Sequence, residues 1–172
     1  MAKTITIYAD GACEPINPCG AAAASFVAVN DLNEIVHKAV EVLGIGRGMT
    51  NNFAELSAIA GALIWAADKG YDHIKVYSDS QLAVNLLNGK WRASPSAGYY
   101  PAYESAVEAL NALRAMGIKV EIVWVRRNST PFSAMADEMA FKAAKQAWDK
   151  FEKEKPELAE RFRRVGRPTG RS

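Results

Sequence analysis

Four acidic residues stand where one kind of element gives way to another, and such a set suits the binding of divalent metal ions. Asp10 closes a β-branched run, Glu55 lies in the first turns of an amphipathic segment, Asp79 closes another β-branched run, and Asp137 lies near the start of a long helical segment. Acids at strand ends and helix starts are often exposed at one edge of an α/β sheet, where ligands bind. Two Mg²⁺ ions about 3.5–4 Å apart need several carboxylates to flank and bridge them. Mg²⁺ takes oxygen ligands and keeps several waters, so four acids suffice. Position alone does not decide the matter. A strand-terminal Asp also serves as a turn or cap residue, Glu55 could simply favour a helix dipole, and Asp137 could be a solvated helix acid.

The elements that must position these acids are legible from periodicity. Lys3–Asp10 reads as a strand and Gly11–Gly20 as a polar, proline-containing loop that holds both cysteines, Cys13 and Cys19. Ala21–Val29 and Glu34–Val42 read as two further strands, joined by the turn sequence Asn30-Asp31-Leu32-Asn33. Thr50-Asn51-Asn52 offers N-cap chemistry for a helix to about Lys69, with Leu56, Ile59 and Leu63 at helical spacing. His73–Ser78 is a fourth strand, Ser80–Leu87 a short helix, Tyr103–Met116 a third helix and Ile118–Val125 a fifth strand. A last helix runs from about Ser133 to Glu154, where Pro156 interrupts it before a basic tail. Three strands, then helix and strand units, then a closing helix make an α/β sheet of mixed direction.

The 172 residues fit one domain with a real core, divided here into a body over residues 1–150 and a helical extension with an arginine-rich tail over 151–172. No run of 18 apolar residues suggests a membrane span, no secretory signal is visible at the N-terminus, and two cysteines are too few for a disulfide framework. A cytoplasmic monomer is the expectation. The net charge of +2 hides an asymmetry: residues 161–172 hold five arginines and no acid, which leaves the body with 16 basic and 19 acidic residues. Attraction to a polyanion would therefore come from local patches or from the tail.

The segments around the four acids carry more than their positions do. YADGAC (Tyr8–Cys13), TNNFAEL (Thr50–Leu56), VYSDSQ (Val76–Gln81) and ADEMA (Ala136–Ala140) occur in this order. Together they resemble the type 1 ribonuclease H family over roughly Lys3–Ala147. The resemblance implies a ribonuclease H-like fold: a five-stranded mixed sheet, its first three strands antiparallel, flanked by helices. It implies that Asp10, Glu55, Asp79 and Asp137 are the catalytic, metal-binding set, served by two Mg²⁺ or Mn²⁺ ions. The implied reaction is hydrolysis of the RNA strand of an RNA–DNA hybrid, giving 5′-phosphate and 3′-hydroxyl ends.

By the same resemblance, Cys13, Asn17, Asn52 and Gln81 are candidates to read RNA 2′-hydroxyls, which amides and backbone groups suit. Thr50 and Asn51 resemble residues that grip a DNA-strand phosphate, although both also serve as helix caps. The segment after Asp79 lacks the basic helical protrusion of the long-handled members and resembles the handle-less branch. Lys90, Trp91 and Arg92 are the remaining candidates for hybrid contact, with Trp91 equally suited to core packing. Many members carry a histidine in the loop before the fourth acid. Here that loop reads WVRRNSTPFSAMAD, with Arg127 or Asn128 as the candidate substitute, while His37 and His73 lie in strands elsewhere. The tail is expected to bind the hybrid in place of the missing handle, so that deleting residues 161–172 weakens binding and flattens its salt dependence. Rival readings are a catalytically weak or inactive hybrid-binding module, another nuclease of the ribonuclease H-like superfamily such as an integrase or transposase core, and a plain interaction domain.

Overall fold

The computed structural model describes residues 3–171. Its main sheet has five strands in the order β4-β3-β1-β5-β6. These are β1 (Thr4–Glu14), β3 (Ala21–Val29), β4 (Ile35–Ile45), β5 (His73–Ser78) and β6 (Lys119–Trp124). β1 pairs antiparallel with β3, and β3 antiparallel with β4, whereas β5 runs parallel to both β1 and β6. Five helices accompany the sheet: α1 (Asn51–Ala66), α2 (Gln81–Leu87), α3 (Tyr100–Ala115), α4 (Pro131–Glu154) and α5 (Pro156–Val165). The short strands β2 (Ile16–Asn17) and β7 (Arg167–Pro168) form a separate antiparallel pair.

Period-two alternation sends the strand residues to two cores. Ile5, Ile7 and Ala9 of β1 join Leu56, Ile59 and Leu63 of α1 and Leu110 and Leu113 of α3 in the larger one. Tyr8, from the opposite face of β1, packs with Val27 and Val29 of β3 and with Phe132, Met135 and Met139 of α4. α1 starts where its cap chemistry says it should: the Thr50 hydroxyl accepts from the Phe53 N–H at 3.0 Å. Thr50→Ala should therefore cost about 1 kcal/mol, read as a lower urea midpoint at unchanged slope. An unshifted midpoint would mean that packing alone fixes the start of α1.

Two expectations need correction. The segment after Asp10 is not all loop: β1 continues through Glu14, with Asp10 opposite Ser25 and Glu14 opposite Ala21. Gly11, Ala12 and Cys13 face Ala22, Ala23 and Ala24 across the ladder, so small side chains let the pairing run on. Pro15, which has no N–H to donate, follows directly on Glu14 and ends the strand. Cys13 is thus a strand residue, and both cysteines are buried and unpaired. The boundary at residue 150 and the end of helical structure at Pro156 are the second. Residue 150 falls inside α4, and Pro156 opens α5 rather than ending helical structure.

α5 folds back on α4. Phe162 stacks on Phe151, Arg163 lies over the Trp148 ring, and Trp148 is completely buried. Beyond α5, β7 lies against β2, an approach that requires Gly166: a β-carbon there would sit 2.1 Å from the Pro18 carbonyl oxygen. The Thr169 N–H donates to the Pro15 carbonyl at 3.0 Å, which carries the chain end along the loop after β1.

Candidate active site

The register of the central strands sets two of the acids level. Tyr8 of β1 pairs with Tyr77 of β5, and Asp10 and Asp79 each follow their tyrosine by two residues. The parallel pairing of β1 with β5 stops at that level, although β1 runs on against β3, and two carboxylates stand side by side where the pairing opens. Glu55 arrives from α1, whose backbone at Ala54 and Glu55 lies against Gly11; no side chain at Gly11 keeps the two apart. Carboxylate oxygens of Asp10, Glu55 and Asp79 lie within 4.8 Å of one another. Asp137, in the second turn of α4, enters the same cleft, and α4 is tied to β3 where the Ser25 hydroxyl donates to the Ala136 carbonyl.

Burial raises the pKa values of Asp10, Glu55 and Asp79. Asp10 is pushed up to about 7, chiefly by burial and further by the charges of Asp79 and Asp137. Glu55 lies well above the usual carboxylate range because of burial and then the charges of Asp10 and Asp79. Asp79, half-buried, is raised by burial and by Asp137, with Arg127 opposing. One oxygen of Glu55, Oε2, is buried without a hydrogen-bond partner among the described residues. A buried carboxylate oxygen left unpaired beside two other carboxylates fits a hard cation with oxygen ligands.

The cleft has a volume of about 550 Å³. Its walls include Cys13 from the end of β1, Asn17 from β2, Asn51 from α1, and Arg127. The Asn17 side-chain oxygen accepts from the Asn51 N–H at 3.1 Å, so two substrate candidates are held together. The Cys13 thiol points inward, donating to the Ile16 carbonyl at 3.3 Å, which leaves main-chain atoms as its means of contact. Thr50 is the α1 cap, while Asn52 and Gln81 stand exposed on the first turns of α1 and α2. Lys90, Trp91 and Arg92 line a separate hollow with Tyr100 and Tyr103. Trp91 is 48% exposed and so is not a core residue. His37 stacks on Trp65 and His73 pairs with Glu121, structural roles away from the acids.

Of the two histidine substitutes, Arg127 reaches the acid. Its Nη2 donates to Asp137 Oδ1 at 3.3 Å, whereas Asn128 adopts a left-handed turn conformation at φ 54°. Sequence reasoning missed Glu14, Arg167, Thr169 and Arg171, all of which line the cleft. Glu14 shares a strand face with Asp10 and Ala12, a relation that exists only because β1 extends through it. Buried, it accepts a short hydrogen bond from the Thr169 hydroxyl. Its pKa is raised by burial, with Thr169, Arg171 and Arg127 opposing. The arginine-rich end is largely engaged within the protein: Arg163 pairs with Glu152, Arg164 with Glu160 and Arg171 with Asp137.

The family model described as RNase H matches residues 2–147. The chain belongs to the RNase H family. It is 42% identical over 84 residues to ribonuclease HI of Halobacterium salinarum, a stretch that is 49% of this chain and 40% of that one. To ribonuclease H of Chlorobaculum parvum it is 37% identical over 91 residues, or 53% of this chain and 56% of that one. The chain thus spans about half the length of the curated relatives it matches. Among solved structures, RNase H1 of H. salinarum superposes with a TM-score of 0.66 at 30% identity, covering 82% of this chain and 99% of that one. LC11-RNase H1 in complex with an RNA/DNA hybrid shares the fold at a TM-score of 0.67 and 23% identity, covering 83% and 98%. The five-stranded sheet and its helices are therefore the RNase H fold.

Proposed function

We propose that this RNase H-family protein is an endoribonuclease that hydrolyses the RNA strand of RNA–DNA hybrids, leaving 5′-phosphate and 3′-hydroxyl ends. The observation that carries the reading is the meeting of Asp10, Glu55 and Asp79 within 4.8 Å, with Asp137 in the same cleft. These four acids would hold two Mg²⁺ or Mn²⁺ ions, which supply an activated water and charge stabilisation at the leaving oxygen. The unpaired Oε2 of Glu55 supports that assignment.

The protein's own groups orient and select. Asn17 and Asn51 present amide and backbone groups at the cleft wall, suited to a 2′-hydroxyl that both donates and accepts. Cys13 adds main-chain groups, and Asn52 and Gln81 are placed on the first turns of α1 and α2 for the same strand. Thr50, though occupied as a cap, keeps its place beside Asn51 for a DNA-strand phosphate. Lys90, Trp91 and Arg92 offer two cations around an exposed indole for the flanking duplex. Arg127 holds Asp137 in position, but a guanidinium does not give up its proton near neutral pH, so it does not replace a histidine as a proton carrier. The protein is expected to act in the cytoplasm as a monomer.

The test is cleavage of end-labelled hybrid, duplex DNA and duplex RNA, each with Mg²⁺, Mn²⁺ or EDTA. Cutting of the hybrid's RNA strand that requires a divalent ion is the expected result. Binding of hybrid without cleavage under any ion would make the protein an inactive hybrid-binding module.

A further inference from the structure

Asp137 is gripped from the far end of the chain. Arg171 Nη1 donates to its Oδ1 at 3.0 Å and Nη2 to its Oδ2 at 3.1 Å, a two-point pairing of guanidinium and carboxylate. The guanidinium is pre-oriented by the Phe141 ring, 4.1 Å from its centre and one helical turn beyond Asp137 on α4. The backbone is placed as specifically. Gly166 lets β7 close on β2, and Thr169 bonds both the Pro15 carbonyl and the Glu14 carboxylate, two residues before Arg171. Arg127 adds a third N–H to Oδ1. The Asp137 carboxylate is mostly buried and Arg171 only one-third exposed, so the contact lies inside the cleft rather than on its rim.

We propose that Arg171 belongs to the catalytic centre, setting the affinity of Asp137 for a divalent ion by competing with that ion for the same carboxylate edge. The inference rests on the metal-binding reading of the four acids. A carboxylate that meets a guanidinium with both oxygens has its near-side lone pairs taken, and those are the lone pairs a divalent ion draws on. An ion that uses Asp137 must turn Arg171 away, and the cost of doing so appears as weaker ion binding. The competing cation keeps Asp137 from adding an uncompensated charge to a cleft where Asp10, Glu55 and Asp79 already repel one another. Arg171 is a positioning residue in this account, because it acts on the reaction through Asp137.

The test is calorimetric titration of the full chain with Mn²⁺ in the absence of nucleic acid, which makes the readout independent of turnover. Arg171→Gln should lower the half-saturating Mn²⁺ concentration by about three- to tenfold. Arg171→Lys, which keeps the charge and loses the two-point grip, should fall between. Arg167→Gln removes a charge from the same cleft without touching Asp137 and should shift the isotherm by less than about twofold. An Arg171→Gln isotherm that overlies the wild type, or an equal shift from Arg167→Gln, overturns the competition while leaving the metal site standing. Absence of Mn²⁺ binding in every protein overturns the metal reading and the competition with it.

Discussion

Asp10→Asn is expected to remove on the order of 10³-fold of the cleavage rate and, without divalent ions, to make the fold more heat-stable above neutral pH. The first effect follows from the place of Asp10 among the three acids whose oxygens lie within 4.8 Å of one another. An amide there keeps the shape and gives up the charge that holds an ion, and metal assistance contributes several kcal/mol to such a reaction. The second effect follows from the sign of the pKa shift. Burial raises Asp10 from 3.8 to about 7, so the folded state favours its neutral form. The stability associated with that neutral form is fully present below the ordinary value and is lost as pH rises through about 7. An asparagine has nothing to ionise and escapes the loss. Melting temperatures in EDTA should therefore separate at pH 8, by about 2–4 °C for each kcal/mol relieved, and converge toward pH 5. Adding Mg²⁺ should narrow the gap, because the ion binds only the folded wild type. Retained activity would remove Asp10 from the catalytic set, and melting curves that stay parallel from pH 5 to pH 9 would mean that its charge is not under strain.

Gly11→Ala is expected to cost about 10²-fold in kcat/KM although it introduces a single methyl group. A β-carbon on Gly11 would lie 2.3 Å from the Ala54 carbonyl carbon, 2.4 Å from the Glu55 nitrogen and 2.7 Å from the Ala54 oxygen. All three are backbone atoms of α1 and have no rotamer to retreat into. Restoring ordinary contact requires α1 and β1 to part by about 1 Å, a large gap for close-packed elements. Glu55 rides on that turn of α1 and would leave the other acids, and a displacement of about 1 Å is enough to cost 10²-fold. The overpacking should also lower stability by about 1–3 kcal/mol. Kinetics on the hybrid and urea unfolding separate the two effects. A variant with wild-type kcat/KM would show that the spacing of β1 and α1 does not govern the catalytic geometry.

Most of the framework was legible because it rests on local chemistry. Alternating β-branched runs marked His73–Ser78 to the residue and the Thr50 cap marked the start of α1, whereas α4 opens at Pro131, two residues before the expected Ser133, because Thr130 and Ser133 form a capping box. The four acids could be singled out by their surrounding motifs, and they share one cleft. The extension of β1 through Glu14 was not legible, because glycine, alanine and cysteine have weak strand preference and only the alanines of β3 opposite them favour the pairing. Glu14 was lost with it.

The amino-acid sequence by itself singled out the four acids that meet in the cleft, since motif and spacing are properties of neighbours along the chain. Only the tertiary structure decided what surrounds them. Arg171 is 34 residues from Asp137, and Thr169 is 155 residues from Glu14. Contacts across such distances leave no periodic trace, because they are set by the turn at Pro156, the packing of Phe162 on Phe151 and the closure of β7 on β2. In composition the five arginines near the end read as a basic tail for nucleic acid. In three dimensions one of them sits on Asp137, where a mostly buried acid offers a stronger partner than solvent does.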